Sequence, residues 1–204
     1  MQLSTPSPIS VGTLSADLSR IAGVDEVGRG ALFGPVVAAA AILPETMRPT
    51  LVRLGVKDSK QLSSVKRQRL AGEIRAIAID CQVGVATVAE IDELNILQAS
   101  LLAMRRAVEK LQVTPQLCLI DGNQLIPGLE LPQQTMVGGD RENLAIAAAS
   151  IVAKVWRDRL IVRLSTRYPE YDLAANKGYG TQRHRLALQQ YGLSPLHRQS
   201  FRLR

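Results

Sequence analysis

The sequence predicts a mixed α/β sheet flanked by helices. Three observations carry this. Short apolar runs bounded by glycine and polar breaks read as buried strands, other apolar residues recur at helical spacing, and a strand pair is followed by alternating helices and strands. The chain has 204 residues, of which 46% are hydrophobic and 21% charged, the composition of an ordinary globular domain. That length buries a core without disulfide or metal staples, and the composition excludes collagen, coiled coil and disorder. The longest clean apolar run, Val36 to Leu43, is 8 residues, against about 20 for a membrane-spanning helix.

Residues 1–19 are rich in Ser, Thr and Pro and lack a basic or apolar block, so they read as a loose tail rather than a signal peptide. Ile21–Val24 and Val36–Leu43 read as two core strands joined by a glycine-rich turn. The alanines of the second imply an element packed closely on it. Lys57-Asp58-Ser59-Lys60 is a polar loop, and a helix is predicted over about 64–78 with Val65, Ile74 and Ile77 among its apolar positions. Val83–Val88 is a strand candidate. Leu94, Leu97, Leu101, Met104, Val108 and Leu111 step by 3 and 4, the stripe of an amphipathic helix. Leu117–Ile120 is a short buried strand broken by Asp121-Gly122-Asn123, and Thr135–Val137 another, stopped by Gly138-Gly139-Asp140. A long helix from Asn143 to Ser165, ended by Tyr168-Pro169, and a helix near 181–190 complete the pattern. Cys81 and Cys118 lie in apolar stretches and read as buried, reduced thiols of a cytoplasmic protein.

Charge is unevenly distributed. Residues 154–204 hold 11 Lys/Arg and 3 acids, whereas the first 153 residues hold 14 bases and 15 acids. Six of the seven aromatics, Trp156, Tyr168, Tyr171, Tyr179, Tyr191 and Phe201, also lie in the basic segment. Basic residues interleaved with aromatics suit a phosphate backbone and exposed sugar or base faces, although a solvated helical face packed down by aromatics has the same composition.

Asp25 and Glu26 stand where a strand meets a glycine turn, Asp121 ends a second strand, and Asp140 follows a third. Strand ends gather at one edge of a sheet, where α/β proteins place their sites. One such acid alone is ordinarily a turn residue or a cap. Four together repel one another unless a cation neutralises them, and an all-oxygen set favours Mg²⁺ or Mn²⁺. Two such ions activate water and stabilise a leaving oxygen in phosphodiester hydrolysis. Neighbours on a regular strand face opposite ways, so Asp25 and Glu26 share a cluster only if the strand is ending there. Gly28-Arg29-Gly30 with Gly34 is one residue too long for a dinucleotide loop and leads into a strand rather than a helix, and no Walker lysine is present.

Asp25-Glu26-Val27-Gly28-Arg29-Gly30 with Gly34-Pro35, Asp58-Ser59-Lys60, Ile120-Asp121-Gly122 and Gly139-Asp140 together resemble ribonuclease HII. So do Ala148-Ala149-Ser150-Ile151-Val152-Ala153-Lys154-Val155 with Arg157-Asp158, Lys177-Gly178-Tyr179-Gly180-Thr181 with His184, and His197-Arg198 with Ser200-Phe201. The resemblance spans residues 21–201. It implies a ribonuclease H-like fold with a C-terminal helical part closing over the substrate. It also implies cleavage of the RNA strand of RNA–DNA hybrids, and cleavage 5′ of single ribonucleotides embedded in duplex DNA, leaving 5′-phosphate and 3′-hydroxyl ends. By it Asp25, Glu26, Asp121 and Asp140 are the catalytic, metal-binding acids, with two ions once substrate is bound. Gly28, Arg29 and Gly30 read the 2′-hydroxyl, Tyr179 stacks on the sugar at the RNA-to-DNA junction, and Lys60 lies near the reacting phosphate. Some members carry a longer C-terminal extension than this chain, and docking through such a tail is not implied.

Asp158 competes with Asp140 as fourth acid. They are 18 residues apart, a rise of about 27 Å if the span is straight helix. Asp140 is preferred because it lies in the break before the helix, leaving Asp158 to pair with Lys154 or a nearby arginine. Lys177, Arg183 and Arg185 are assigned to substrate contact, the arginines positioning rather than specifying. Trp156 reads as core, His184 as a packing or capping histidine, and His197-Arg198 as a tie for the last segment. The expected organisation is a flexible tail (1–20), a catalytic domain (21–165) and a basic substrate-binding segment (166–204) in a monomer that avoids membranes. Rival readings are a nuclease restricted to long hybrids and a non-catalytic hybrid-binding module.

Overall fold

A computed structural model of the chain describes residues 20–57 and 59–201. The tail over 1–19, Asp58, Arg202 and Arg204 lie outside the described residues. Strands β1 (Ile21–Val27), β2 (Val36–Ile42), β3 (Asp80–Ala86), β4 (Leu117–Asp121) and β5 (Gln133–Met136) form one sheet of order β3-β2-β1-β4-β5. β1, β2 and β3 pair antiparallel as a meander, whereas β4 and β5 are added parallel to β1. The helices are α1 (Arg48–Leu54), α2 (Ser64–Ile77), α3 (Val88–Leu94), α4 (Ile96–Glu109), α5 (Gly139–Glu142), α6 (Leu144–Ser165), α7 (Leu173–Asn176) and α8 (Gln182–Tyr191). The mixed sheet flanked by helices is the architecture expected from the sequence. Among the described residues no helix is long and apolar enough to cross a membrane.

Every residue of β2 is buried because helices cover both its faces. Ala38, Ala40 and Ile42 join a core with α4, while Ala39 and Ala41 join a second core with α2 and α6. Methyl-sized side chains let both helices approach closely, as the alanine run implies. On β1, a Cβ at Gly23 would overlap the backbone of Ala145 and Ile146, so the start of α6 lies directly on the strand that carries Asp25. A third core joins Leu32 and Phe33 of the β1–β2 loop to Ile161, Tyr171, Leu173, Ala187 and Leu188. The C-terminal segment is therefore packed onto the glycine-rich loop.

Several elements differ from expectation. β1 runs through Glu26 and Val27 rather than ending at Val24. Val88 opens α3 instead of closing β3, because Thr87 and Glu90 form a reciprocal capping box. The stripe from Leu94 to Leu111 is broken at Asn95, whose φ of 73° separates α3 from α4 and whose side chain caps α4. Leu101, Met104 and Val108 form its buried part, while Leu94 and Leu97 are exposed. Val65 is 80% exposed on α2. Both cysteines are free; Cys118 is buried, but Cys81 on the sheet edge is only half-buried.

Candidate active site

β1, β4 and β5 run parallel and end at the same edge. Val24 pairs with Ile120 and Asp121 with Met136, so Asp25, Asp121 and the Gly138-Gly139-Asp140 turn arrive side by side. Asp25 pairs with Ala39 and faces α6, whereas Glu26 pairs with Ala38 and belongs to the opposite face. Both nonetheless feel the charge of Asp121. β1 ends at Val27, one residue beyond Glu26, so the two acids stand at the end of the strand on opposite faces.

Each acid is held by its surroundings. Asp25, 5% exposed, accepts from the Glu26 amide at 2.7 Å and from the Ser150 hydroxyl, which lies 3.0 Å from Ser59 Oγ. Asp121 Oδ1 accepts from the Gly139 amide at 2.8 Å. Asp140, 3% exposed within α5, has Lys60 Nζ at 3.3 Å. Glu26 has Arg29 at 3.5 Å. Burial, then Glu26 and Asp121, push the Asp25 carboxyl well above the usual range. Burial also raises Glu26, against Arg29, and raises Asp121 with Asp140 adding to it. The edge thus holds more negative charge than its surroundings neutralise. Its donors are all oxygens, so the set fits a hard divalent cation such as Mg²⁺ or Mn²⁺. Among the described residues no three His, Cys, Asp or Glu side chains are already arranged around an ion. Glu26 leans to Arg29 and Asp140 to Lys60 instead.

Asp158 is separated from this cluster by the helix, as the spacing argument requires. It pairs with Lys154 at 2.9 Å, one turn back along α6.

The glycine loop is shaped from beneath by two fully buried arginines. Arg157 donates to the carbonyls of Pro35 (3.0 Å), Lys177 (2.9 Å) and Phe33 (2.9 Å), and Arg198 to those of Gly34 (3.0 Å) and Arg29 (2.8 Å). Gly28 has φ +94°, and a Cβ there would overlap the Arg157 side chain. By contrast a Cβ on Gly30 would meet nothing within 4 Å, so that residue faces open space. Burial and the nearby Arg157 lower Arg198 to about 9, while burial lowers Arg157. From the sequence Arg157 was visible only as a member of a motif block, and Arg198 as part of a tie for the last segment. Their bonds to the loop join residues 122 to 169 positions apart, and the bond to Lys177 spans 20.

Tyr179 lies against the same loop. It bridges Ala31 across an isolated β-bridge, and its half-buried ring has Lys154 Nζ at 5.4 Å and Arg157 Cζ at 5.5 Å from the centroid. Its carbonyl accepts from Nδ1 of buried His184 at 2.9 Å, and His184 Nε2 lies 3.0 Å from His197 Nε2. His197 Nδ1 in turn accepts from the Ser194 amide at 2.9 Å. The network assigns neutral tautomers throughout, with His197 Nε2–H donating to His184. His184 and His197 are thus packing residues that tie the last segment down, as expected. Asp92 adds a second tie by accepting from the Gln199 and Ser200 amides at 3.1 and 2.9 Å.

Other candidates are placed less directly. Lys177 has φ +53°, gives its ammonium to the Ala174 carbonyl, and faces a groove between α2 and α6 rather than the acids. Arg183 pairs with Asp172 at 3.5 Å, and Arg185 donates to the Gly180 carbonyl at 3.0 Å, bracing the turn after Tyr179. Trp156 is half-exposed in the same groove and belongs to none of the three cores, correcting its assignment to the core.

This sheet order, with helices on both faces and acids along one edge, defines a ribonuclease H-type nuclease. The crystal structure of ribonuclease H2 from Pyrococcus horikoshii matches with a TM-score of 0.76 and 31% identity over 90% of this chain and 94% of that one. Bst-RNase HIII, solved in complex with Mn²⁺, matches with a TM-score of 0.66 at 22% identity over 86% of this chain and 63% of its own, a likeness of fold. The chain belongs to the ribonuclease HII family. The Ribonuclease HII family model matches residues 22–204. The ribonuclease HII of Trichormus variabilis is 63% identical over 182 residues, covering 89% of this chain and 81% of that one. Membership makes the protein a ribonuclease H, an endonuclease of RNA–DNA hybrids, as the resemblance implied.

Proposed function

We propose that this enzyme, besides cutting the RNA strand of hybrids, cuts 5′ of single ribonucleotides within duplex DNA and leaves 5′-phosphate and 3′-hydroxyl ends. The observation that carries this is the meeting at one sheet edge of Asp25, Glu26, Asp121 and Asp140 with an open glycine loop bridged to Tyr179. The four acids are the metal ligands, and two Mg²⁺ or Mn²⁺ ions bound there would activate water and neutralise the leaving oxygen. Asp25 is held by Ser150 and Asp121 by the Gly139 amide, while Glu26 and Asp140 would turn from Arg29 and Lys60 to the ions. Lys60 is placed to move from Asp140 to the substrate phosphate once Asp140 is otherwise neutralised.

Recognition falls to the loop. A 2′-hydroxyl both donates and accepts, and rigid backbone groups at Gly28, Arg29 and Gly30 meet it at lower entropic cost than a long side chain. Tyr179 presses on the sugar beside it. Lys177, Arg183 and Arg185 position the flanking backbone, within a basic substrate-binding segment over 166–204 that closes on a catalytic domain over 21–165. The protein acts as a cytoplasmic monomer. The deciding experiment uses labelled duplexes containing zero, one or four ribonucleotides, with and without Mg²⁺ or Mn²⁺. Cutting at one ribonucleotide supports the reading. Cutting at four only makes it a long-hybrid nuclease, and binding without cutting makes it a binding module.

A further inference from the structure

Between α2 and α6 runs a groove of about 630 Å³, of whose lining the reading above uses only Lys177. Five of its lining residues are cationic and one is acidic. The acid, Asp158, is already bonded to Lys154. Arg75, Arg159 and Arg163 are exposed, and neither Arg159 nor Arg163 has an ion-pair partner among the described residues. Trp156 presents a half-exposed ring in the same wall. Gly72 lies within α2 with a helical backbone, and a Cβ there would meet nothing within 4 Å. Neither φ nor packing requires glycine at a position where it weakens a helix. The absent side chain leaves the groove floor open.

None of the four acids lines the groove, but both its walls are tied to elements of the candidate active site. On one side Lys177 lies two residues from Tyr179, and Asp158 is bonded to the Lys154 that sits over the Tyr179 ring. On the other, Arg67 donates to the Ser59 (2.8 Å) and Leu62 carbonyls, fastening α2 to the turn that carries Lys60. Ser150 bonds Asp25 and marks the acids on α6. From there Trp156 is about 9 Å and Arg163 about 20 Å along the helix. A strand lying along α6 would cover that distance in three to six nucleotides, at about 3.4 Å per step.

We propose that the α2–α6 groove grips the phosphate backbone of the duplex flank about three to six base pairs from the scissile phosphate. Arg159 and Arg163 carry the charge contact, and Trp156 packs against the sugars. The proposal rests on the nuclease reading and extends its substrate footprint past the loop and Tyr179. A phosphodiester backbone is the occupant because cations line the groove, an aromatic is interleaved, and its α6 wall is the helix that also carries Ser150 beside Asp25.

The test uses single-ribonucleotide duplexes with each flank trimmed in turn from ten to two base pairs. Affinity is read by anisotropy in EDTA and kcat/KM in Mg²⁺. On long flanks Arg159→Gln/Arg163→Gln should lose about tenfold in kcat/KM through KM, and its slope of log affinity against log salt should fall by about two. Trimming one flank below about three base pairs should bring wild type down to the variant. Gly72→Leu narrows the groove without changing charge and should show the same dependence on flank length. Variants equal to wild type on long flanks, or losses independent of flank length, overturn the groove assignment. A wild-type enzyme that cuts no ribonucleotide-containing duplex overturns the nuclease reading as well, and is told apart by failing before any variant is compared.

Discussion

Asp121 and Asp158 are both acids in motif blocks, but their surroundings separate them. Asp121 sits at the common edge of the parallel strands, raised by burial and by Asp140, whereas Asp158 is spent on Lys154. Asp121→Asn keeps the shape and the Gly139 contact but loses the charge a divalent ion requires. It should cut at under a few per cent of the wild-type rate in Mg²⁺ while binding hybrid within about threefold of wild type, both measurable on one labelled hybrid. Asp158→Asn should keep its rate and lose at most about 1 kcal/mol of stability, the range of partly exposed i,i+4 pairs. Tyr179 divides recognition from packing in the same way. Its ring touches Lys154 and Arg157, but its backbone is what His184 and Ala31 hold. Tyr179→Ala should therefore leave the turn in place. It should cost far more kcat/KM on a single-ribonucleotide duplex than on a long hybrid, where neighbouring sugars help set the geometry; equal losses would reduce the ring to packing.

The glycine loop shows how one element depends on distant ones. Its carbonyls face Arg157 from α6 and Arg198 from the C-terminal segment, so its shape is set by residues far along the chain. Buried acceptors left without donors cost about 1–3 kcal/mol each, more when the lost partner was charged. Arg157→Met removes the donors of Phe33, Pro35 and Lys177 together. Several kcal/mol of unfolding free energy should be lost in urea titration, and activity on both substrates should fall even where the protein stays folded. Lysine supplies the charge without the planar fork, so Arg157→Lys should recover only part of either loss.

Across the whole molecule, the His184–His197 pair closes the C-terminal segment over the loop. Burial and the neighbouring His184 hold His197 down to about 4, against about 6.5 for a free histidine. Its folded value is depressed, so the unfolded chain binds the proton first as pH falls. Stability is full above about pH 6.5 and is lost toward pH 4, by up to about 3 kcal/mol. Protonation of His197 adds the proton at Nδ1, face to face with the Ser194 amide N–H that this nitrogen otherwise accepts at 2.9 Å. Asp25, Glu26 and Asp121 act oppositely, because raised carboxyls gain stability on acidification. Melting of wild type and His197→Gln at pH 7.5 and 5 separates the two. The variant should begin less stable and change less with pH; an equal change in both would remove the histidine pair as its source.

What could be read along the chain was whatever local spacing encodes. Strand runs, helix stripes, the alanines of β2 and the acids at strand ends are sequence patterns, and they carried the sheet, its flanking helices and the four carboxylates. The i,i+4 reach from Lys154 also placed Asp158 in a pair. Boundaries failed where a side chain competed with the pattern, as at Thr87–Glu90 and at Asn95, because capping is decided by individual hydrogen bonds that a hydrophobic stripe does not register. Trp156 was assigned to the core because mid-helix position does not say which face a neighbouring helix covers. Only the tertiary structure decided that Asp25 and Glu26, though on opposite faces of β1, both feel the charge of Asp121. It alone revealed that two buried arginines hold the loop and that His184 and His197 meet each other at 3.0 Å. These are contacts between residues far apart in the chain, chosen by burial and by donors and acceptors that must be satisfied together, and no linear spacing records them.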